Sequence, residues 1–128
     1  MNSKTFAYVF GIVFLLIGVL GFVPSLTPNG MLLGIFQVNA LHNVVHVLSG
    51  VVALIAAMAG LYYSKLYFKV FGVVYALVTV LGFLTGDGLI GGLLPVNMAD
   101  NLLHVVIAAA ALYIGFMMTE VVRSNDVK

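Results

Sequence analysis

Three histidines and one aspartate are the residues of this 128-residue chain whose types and spacing suit chemistry. They stand in two strings, N-A-L-H-N-V-V-H over 39–46 and N-M-A-D-N-L-L-H over 97–104. Side chains four apart on a helix share one face, about 6 Å apart along the axis. His42 is thereby paired with His46, and Asp100 with His104. Three imidazoles and a carboxylate are a ligand set for zinc, iron, manganese or copper, and facing helices of a bundle can build such a site in its core. On that reading His42, His46, Asp100 and His104 hold a transition metal. A variant is a haem held axially by His46 and His104, since imidazole is a normal axial ligand. The same four groups can instead form a proton or small-solute relay. A structural reading competes with all of these. Asn39 and Asn97 are then N-caps, and Asp100 at N3 returns a bond to its cap and meets the helix dipole. His42 takes the same N3 slot, His46 and His104 bond across the bundle, and Asn43 and Asn101 complete the polar set.

The elements that carry these residues belong in a bilayer. The chain is 63% hydrophobic and 7% charged, with a mean hydropathy of +1.22. Soluble domains carry roughly 25% charged residues. From Thr5 to Ser64 there is no Asp, Glu, Lys or Arg. A membrane-spanning helix needs about 20 predominantly apolar residues, and four such spans fit: Thr5–Val23, Asn39–Tyr62, Leu66–Leu84 and Asn97–Thr119. Tyr62–Lys65 reads as a turn between the second and third spans, Pro24–Val38 and Thr85–Val96 as loops, and 120–128 as a polar tail. Residues 1–128 form one membrane domain. The lipid bilayer is its partner, with a second copy or a membrane partner protein as further candidates.

Several function classes fall away. There is no cysteine, which excludes disulfides, thiol nucleophiles and thiolate metal sites. A net charge of +1 is too small for a nucleic-acid surface. No nucleophile–base pair, phosphate loop or dinucleotide fingerprint is present, so the sequence points away from an enzyme. Lys4, Lys65, Lys69, Arg123 and Lys128 all fall on one side of the four spans, whereas the opposite loops hold only Asp87. The positive-inside rule then places both termini in the cytoplasm. The basic start before an apolar run resembles a signal peptide, but G-F-V-P-S-L lacks a small-x-small cleavage site.

The chain also repeats itself. Val9–Phe22 aligns with Val70–Phe83 at an offset of 61, with nine of fourteen positions identical. Val38–Leu54 aligns with Val96–Leu112 at an offset of 58, and the seven matches include Asn39/Asn97, Asn43/Asn101 and His46/His104. Apolar runs match each other cheaply; asparagines and histidines do not. The unit is a helical hairpin, present as 5–62 and 66–119. Two spans per unit return the chain to the same side, which implies parallel repeats about a pseudo-two-fold axis along the membrane normal. The first span then has a counterpart in the third, a second objection to a cleaved leader. Gly11, Phe14 and Gly18, with counterparts Gly72, Tyr75 and Thr79, form a seam for close helix approach. The duplication sets His42 opposite Asp100 and His46 opposite His104, the second layer about 10 Å below the outer interface. Ala53, Ala56, Ala57 and Ala109 to Ala111 fill the cytoplasmic half, which gives a through-path little polar lining.

V-F-G-I-V-F-L-L-I-G-V-L-G-F together with L-H-N-x-x-H (Leu41 to His46) and A-D-N-x-x-H (Ala99 to His104) resembles a bacterial four-helix membrane family, domain of unknown function 4383. The resemblance runs from about Lys4 to Met118. It implies four spans and a bacterial inner-membrane location, and it implies no activity. The expectation is an all-α protein of four transmembrane helices, built from two tandem hairpin repeats with parallel topology. Its role is then structural or partner-binding, with no certain cofactor; a metal- or haem-binding protein is the alternative.

Overall fold

The structure is a computed structural model that describes residues 2–85 and 88–120. Asp87, Arg123 and Lys128, which enter the charge count, lie outside those residues, as does the tail from 121 onward. The four apolar runs become four helices: α1 (Ser3–Leu20), α2 (Ala40–Ala59), α3 (Leu61–Thr85) and α4 (Met98–Leu112). A π-helical turn, Tyr113–Met117, prolongs α4, so each span has 18 to 25 residues. At 1.5 Å per residue, twenty residues cover about 30 Å, the thickness of the hydrocarbon core.

Burial is arranged for lipid. Ala7, Ala53, Ala57, Phe68 and Ala111 are fully buried, while Ile12, Leu77 and Val106 are 60%, 61% and 65% exposed. Large aliphatic side chains outside and alanine inside reverse the usual pattern of a water-soluble core. This surface suits hydrocarbon, and the chain is a multi-pass membrane protein.

Small residues set the spacing of the helices. A Cβ added at Gly50 of α2 would stand 2.8 Å from the Gly11 carbonyl oxygen, so the α1 and α2 backbones nearly touch. In lipid, association rests on such packing rather than on a hydrophobic driving force. α3 and the α4 end approach as closely at Gly115, whose Cβ would meet Lys69 N at 2.7 Å. Between the two pairs lies an aromatic layer. Phe71 stacks on Tyr67 and Tyr75, at 5.1 and 4.7 Å, and Phe10 and Phe14 of α1 meet it edge-on.

One expectation needs correction. Tyr62–Lys65 is not a turn: α3 starts at Leu61, and the reversal is confined to Gly60 at φ 124°. Tyr, Ser and Lys do not break a helix, and glycine alone adopts that backbone without strain. Ser64 Oγ donates to the Gly60 carbonyl at 2.8 Å, which seals the junction.

The loops at the opposite end have structure of their own. Pro24–Leu26 and Pro28–Gly30 are short 3₁₀ turns. After them β1 (Met31–Leu32) pairs antiparallel with β2 (Phe36–Gln37), and β3 (Gly88–Ile90) pairs with β4 (Leu94–Val96). Leu33 and Gly34 turn the first hairpin at φ 55° and 71°; Gly91 and Gly92 turn the second at 58° and 74°. Two consecutive positive φ values match the right-handed twist of a tight hairpin. The Gly-Gly pair was a readable signal; Leu-Gly was not.

Candidate functional site

Under the hairpins, the first turns of α2 and α4 converge. Asn39 caps α2 by accepting from His42 N at 2.8 Å, and Asn97 caps α4 by accepting from Asp100 N at 2.9 Å. Each cap amide also reaches the other hairpin. Asn39 Nδ2 donates to the Leu93 carbonyl at 3.0 Å, and Asn97 Nδ2 to the Ile35 carbonyl at 2.8 Å. Asp100 Oδ2 accepts from Asn97 N at 2.9 Å and from Gln37 N at 3.1 Å. The carboxylate thus completes a capping box and ties β2 to α4. One turn on, Asn43 donates to the Gly21 carbonyl at 2.7 Å and Asn101 to the Gly82 carbonyl at 3.2 Å. Both carbonyls lie at helix ends, where the last C=O groups have no intrahelical partner.

Inside this polar frame His42, His46 and His104 come together. Their ligand nitrogens lie within 4.8 Å of one another. His42 sits between the other two, with ring centroids 4.5 Å from His46 and 6.2 Å from His104. The three residues are 4%, 8% and 4% exposed, and no Nδ1 among them has a hydrogen-bond partner among the described residues. Asp100 precedes His104 by one turn but lies outside this group, its carboxylate engaged by the two backbone amides. Phe14 packs on His46 at 5.7 Å and Tyr75 on His104 at 5.0 Å, walling the rings from the rest of the core. A cavity of about 110 Å³ opens beside the imidazoles, lined also by Ser49, Tyr75 and Val96. It is smaller than the roughly 150 Å³ that admits a benzene ring.

Ser49, which continues the polar stripe of the second span, and Val96, the repeat counterpart of Val38, both line the site, Val96 from β4. Sequence reasoning did not reach Gln37, which contributes only its backbone N–H and so carries no residue signature.

A four-span helical bundle with a histidine cluster buried under two short β-hairpins is the class of protein that fold and site define. The chain belongs to the family described as Domain of unknown function (DUF4383), which it matches over residues 4–117. Neither a curated protein nor a solved structure matches it.

Proposed function

We propose that the chain is a bacterial inner-membrane protein that holds one transition-metal ion at His42, His46 and His104. The observation that carries this is three nine-tenths-buried histidines with mutually close nitrogens and no Nδ1 partner among the described residues. An unpaired buried polar atom costs about 1–3 kcal/mol, and three in one place are costly unless something binds them. Neutral imidazoles are donors of choice for zinc, and three protein ligands leave a fourth position open. Tetrahedral Zn–N bonds of about 2.0–2.1 Å set nitrogens roughly 3.3 Å apart, and the ligand nitrogens here lie within 4.8 Å of one another.

Both termini are cytoplasmic in this reading, and the hairpins with the metal site face outward. The two halves are tandem parallel repeats. Supporting that, Asn43 to Gly21 and Asn39 to Leu93 recur as Asn101 to Gly82 and Asn97 to Ile35, at the sequence offsets of 61 and 58. Those reciprocal bonds favour a second reading, in which the polar cluster locks the two repeats together and presents them to a partner chain or a second copy.

Elemental analysis of protein purified in mild detergent decides between them, with a His46→Ala/His104→Ala variant alongside. About one zinc, iron, manganese or copper per chain, lost in a variant that stays folded, is the expected result. A metal-free wild type that also fails to reload would refute the metal reading in favour of the lock.

A further inference from the structure

The 110 Å³ histidine cavity adjoins a second, larger apolar space. Ser49, Phe71 and Val74 line it and also line a larger groove of about 660 Å³ between α2 and α3. That groove descends from Leu48 to Ala59 on α2, about 16 Å of helix, and ends near Tyr63 beside the Gly60 reversal. Its walls are aliphatic and aromatic, and both helices are bilayer spans. Small residues on α2, Ser49, Ala56 and Ala59, leave the space that a larger side chain would fill. Tyr67 donates its hydroxyl to the Ser49 carbonyl at 3.1 Å, so the polar group of that wall is already engaged.

We infer that the groove and the cavity, adjoining at Ser49, Phe71 and Val74, together bind a long-chain fatty acid, its carboxylate on the metal and its chain between α2 and α3. The inference rests on the metal reading above. Three neutral imidazoles leave a divalent ion with its full charge, and a buried charge must be compensated by a close opposite one. Asp100, the carboxylate nearest in sequence, is bonded to two backbone amides and lies outside the ligand group. The open position therefore calls for an anionic oxygen from a ligand. The cavity limits that head to a few atoms, and the groove supplies an apolar channel for its tail. Depth selects against a phospholipid. His46 is seven residues into α2, about 10 Å below the helix start, whereas a phosphate head stays at the interface.

The test is equilibrium binding of radiolabelled palmitate to the zinc-loaded full chain in neutral detergent, with zinc content measured on every sample. Methyl palmitate, which keeps the chain and lacks the carboxylate, serves as competitor. Val74→Trp and Ser49→Leu obstruct the junction, and Val106→Trp on the outer face of α4 is the control. The expected result is palmitate bound at least tenfold more tightly than its methyl ester. Each junction variant should weaken binding tenfold or more with zinc retained, and Val106→Trp should leave it unchanged. Stoichiometric zinc with equal binding of acid and ester overturns the fatty-acid inference and leaves the metal reading standing. So does tight palmitate binding by both junction variants. A wild type that takes up no zinc overturns both.

Discussion

Gly50→Ala tests whether backbone contact between α1 and α2 sets the position of the histidine wall. The added Cβ would stand 2.8 Å from Gly11 O and 2.8 Å from Leu15 N, both backbone atoms of α1. Ordinary contact begins at 3.4 Å, so the helices must separate by the difference, about 0.6 Å. Intrinsic propensity pulls the other way, because alanine is favoured over glycine in a helix by about 0.8–1 kcal/mol. Overpacking of this kind costs about 1–3 kcal/mol. The clash wins because neither obstructing atom can rotate away, and the net destabilisation is about 1 kcal/mol. Gly11→Ala makes the contrast. Its Cβ meets the Leu54 side chain at 2.6 Å and Gly50 O at 3.0 Å, and a leucine can change rotamer. The remaining backbone contact, at 3.0 Å, must give by less than the 2.8 Å contacts of Gly50→Ala, so that variant should be the less destabilised of the two. Reversible unfolding in mixed micelles of neutral detergent and dodecyl sulfate, followed by tyrosine near-UV dichroism, measures both. A Gly50→Ala protein as stable as wild type, or less damaged than Gly11→Ala, would refute the argument.

Three further outcomes are expected. Gly60→Ala should lose about 1–3 kcal/mol in the same assay, because φ 124° with ψ −174° is a glycine-only conformation. Asp100→Ala removes the acceptor of Asn97 N and Gln37 N. It should cost about 1–2 kcal/mol and speed amide exchange at Gln37, whereas unchanged exchange would show that the carboxylate does not hold β2. The chain has no cysteine, so single cysteines report topology cleanly. In intact cells a membrane-impermeant maleimide should label Gly34→Cys, and Tyr63→Cys only after permeabilisation. The reverse pattern would invert the orientation.

How far the site could be read before folding differs residue by residue. His46 and His104 were legible as a pair, because matched polar residues in two apolar runs stand out. Asp100 was legible as a capping residue and as a ligand alike: both roles need a carboxylate near a helix start, and i, i+4 spacing does not distinguish them. The structure directs it to two backbone amides. The Gly60 reversal was misplaced because Tyr62–Lys65 carries the polar residues expected of a turn, yet one glycine at positive φ suffices to reverse the chain.

The sequence by itself determined that four apolar helices must span a bilayer, since no other regular structure satisfies the backbone of a 20-residue apolar run in lipid. It also determined which residues are too polar to face that lipid. Tertiary structure decided which of them meet. The convergence of His42, His46 and His104 depends on the α1–α2 approach at Gly11 and Gly50, on the aromatic layer between the helix pairs, and on the asparagines that cross from one hairpin to the other. Periodicity encodes the face of a helix and not its neighbour. The spacing between facing helices is set by side-chain volumes on both, and only the folded chain brings those together.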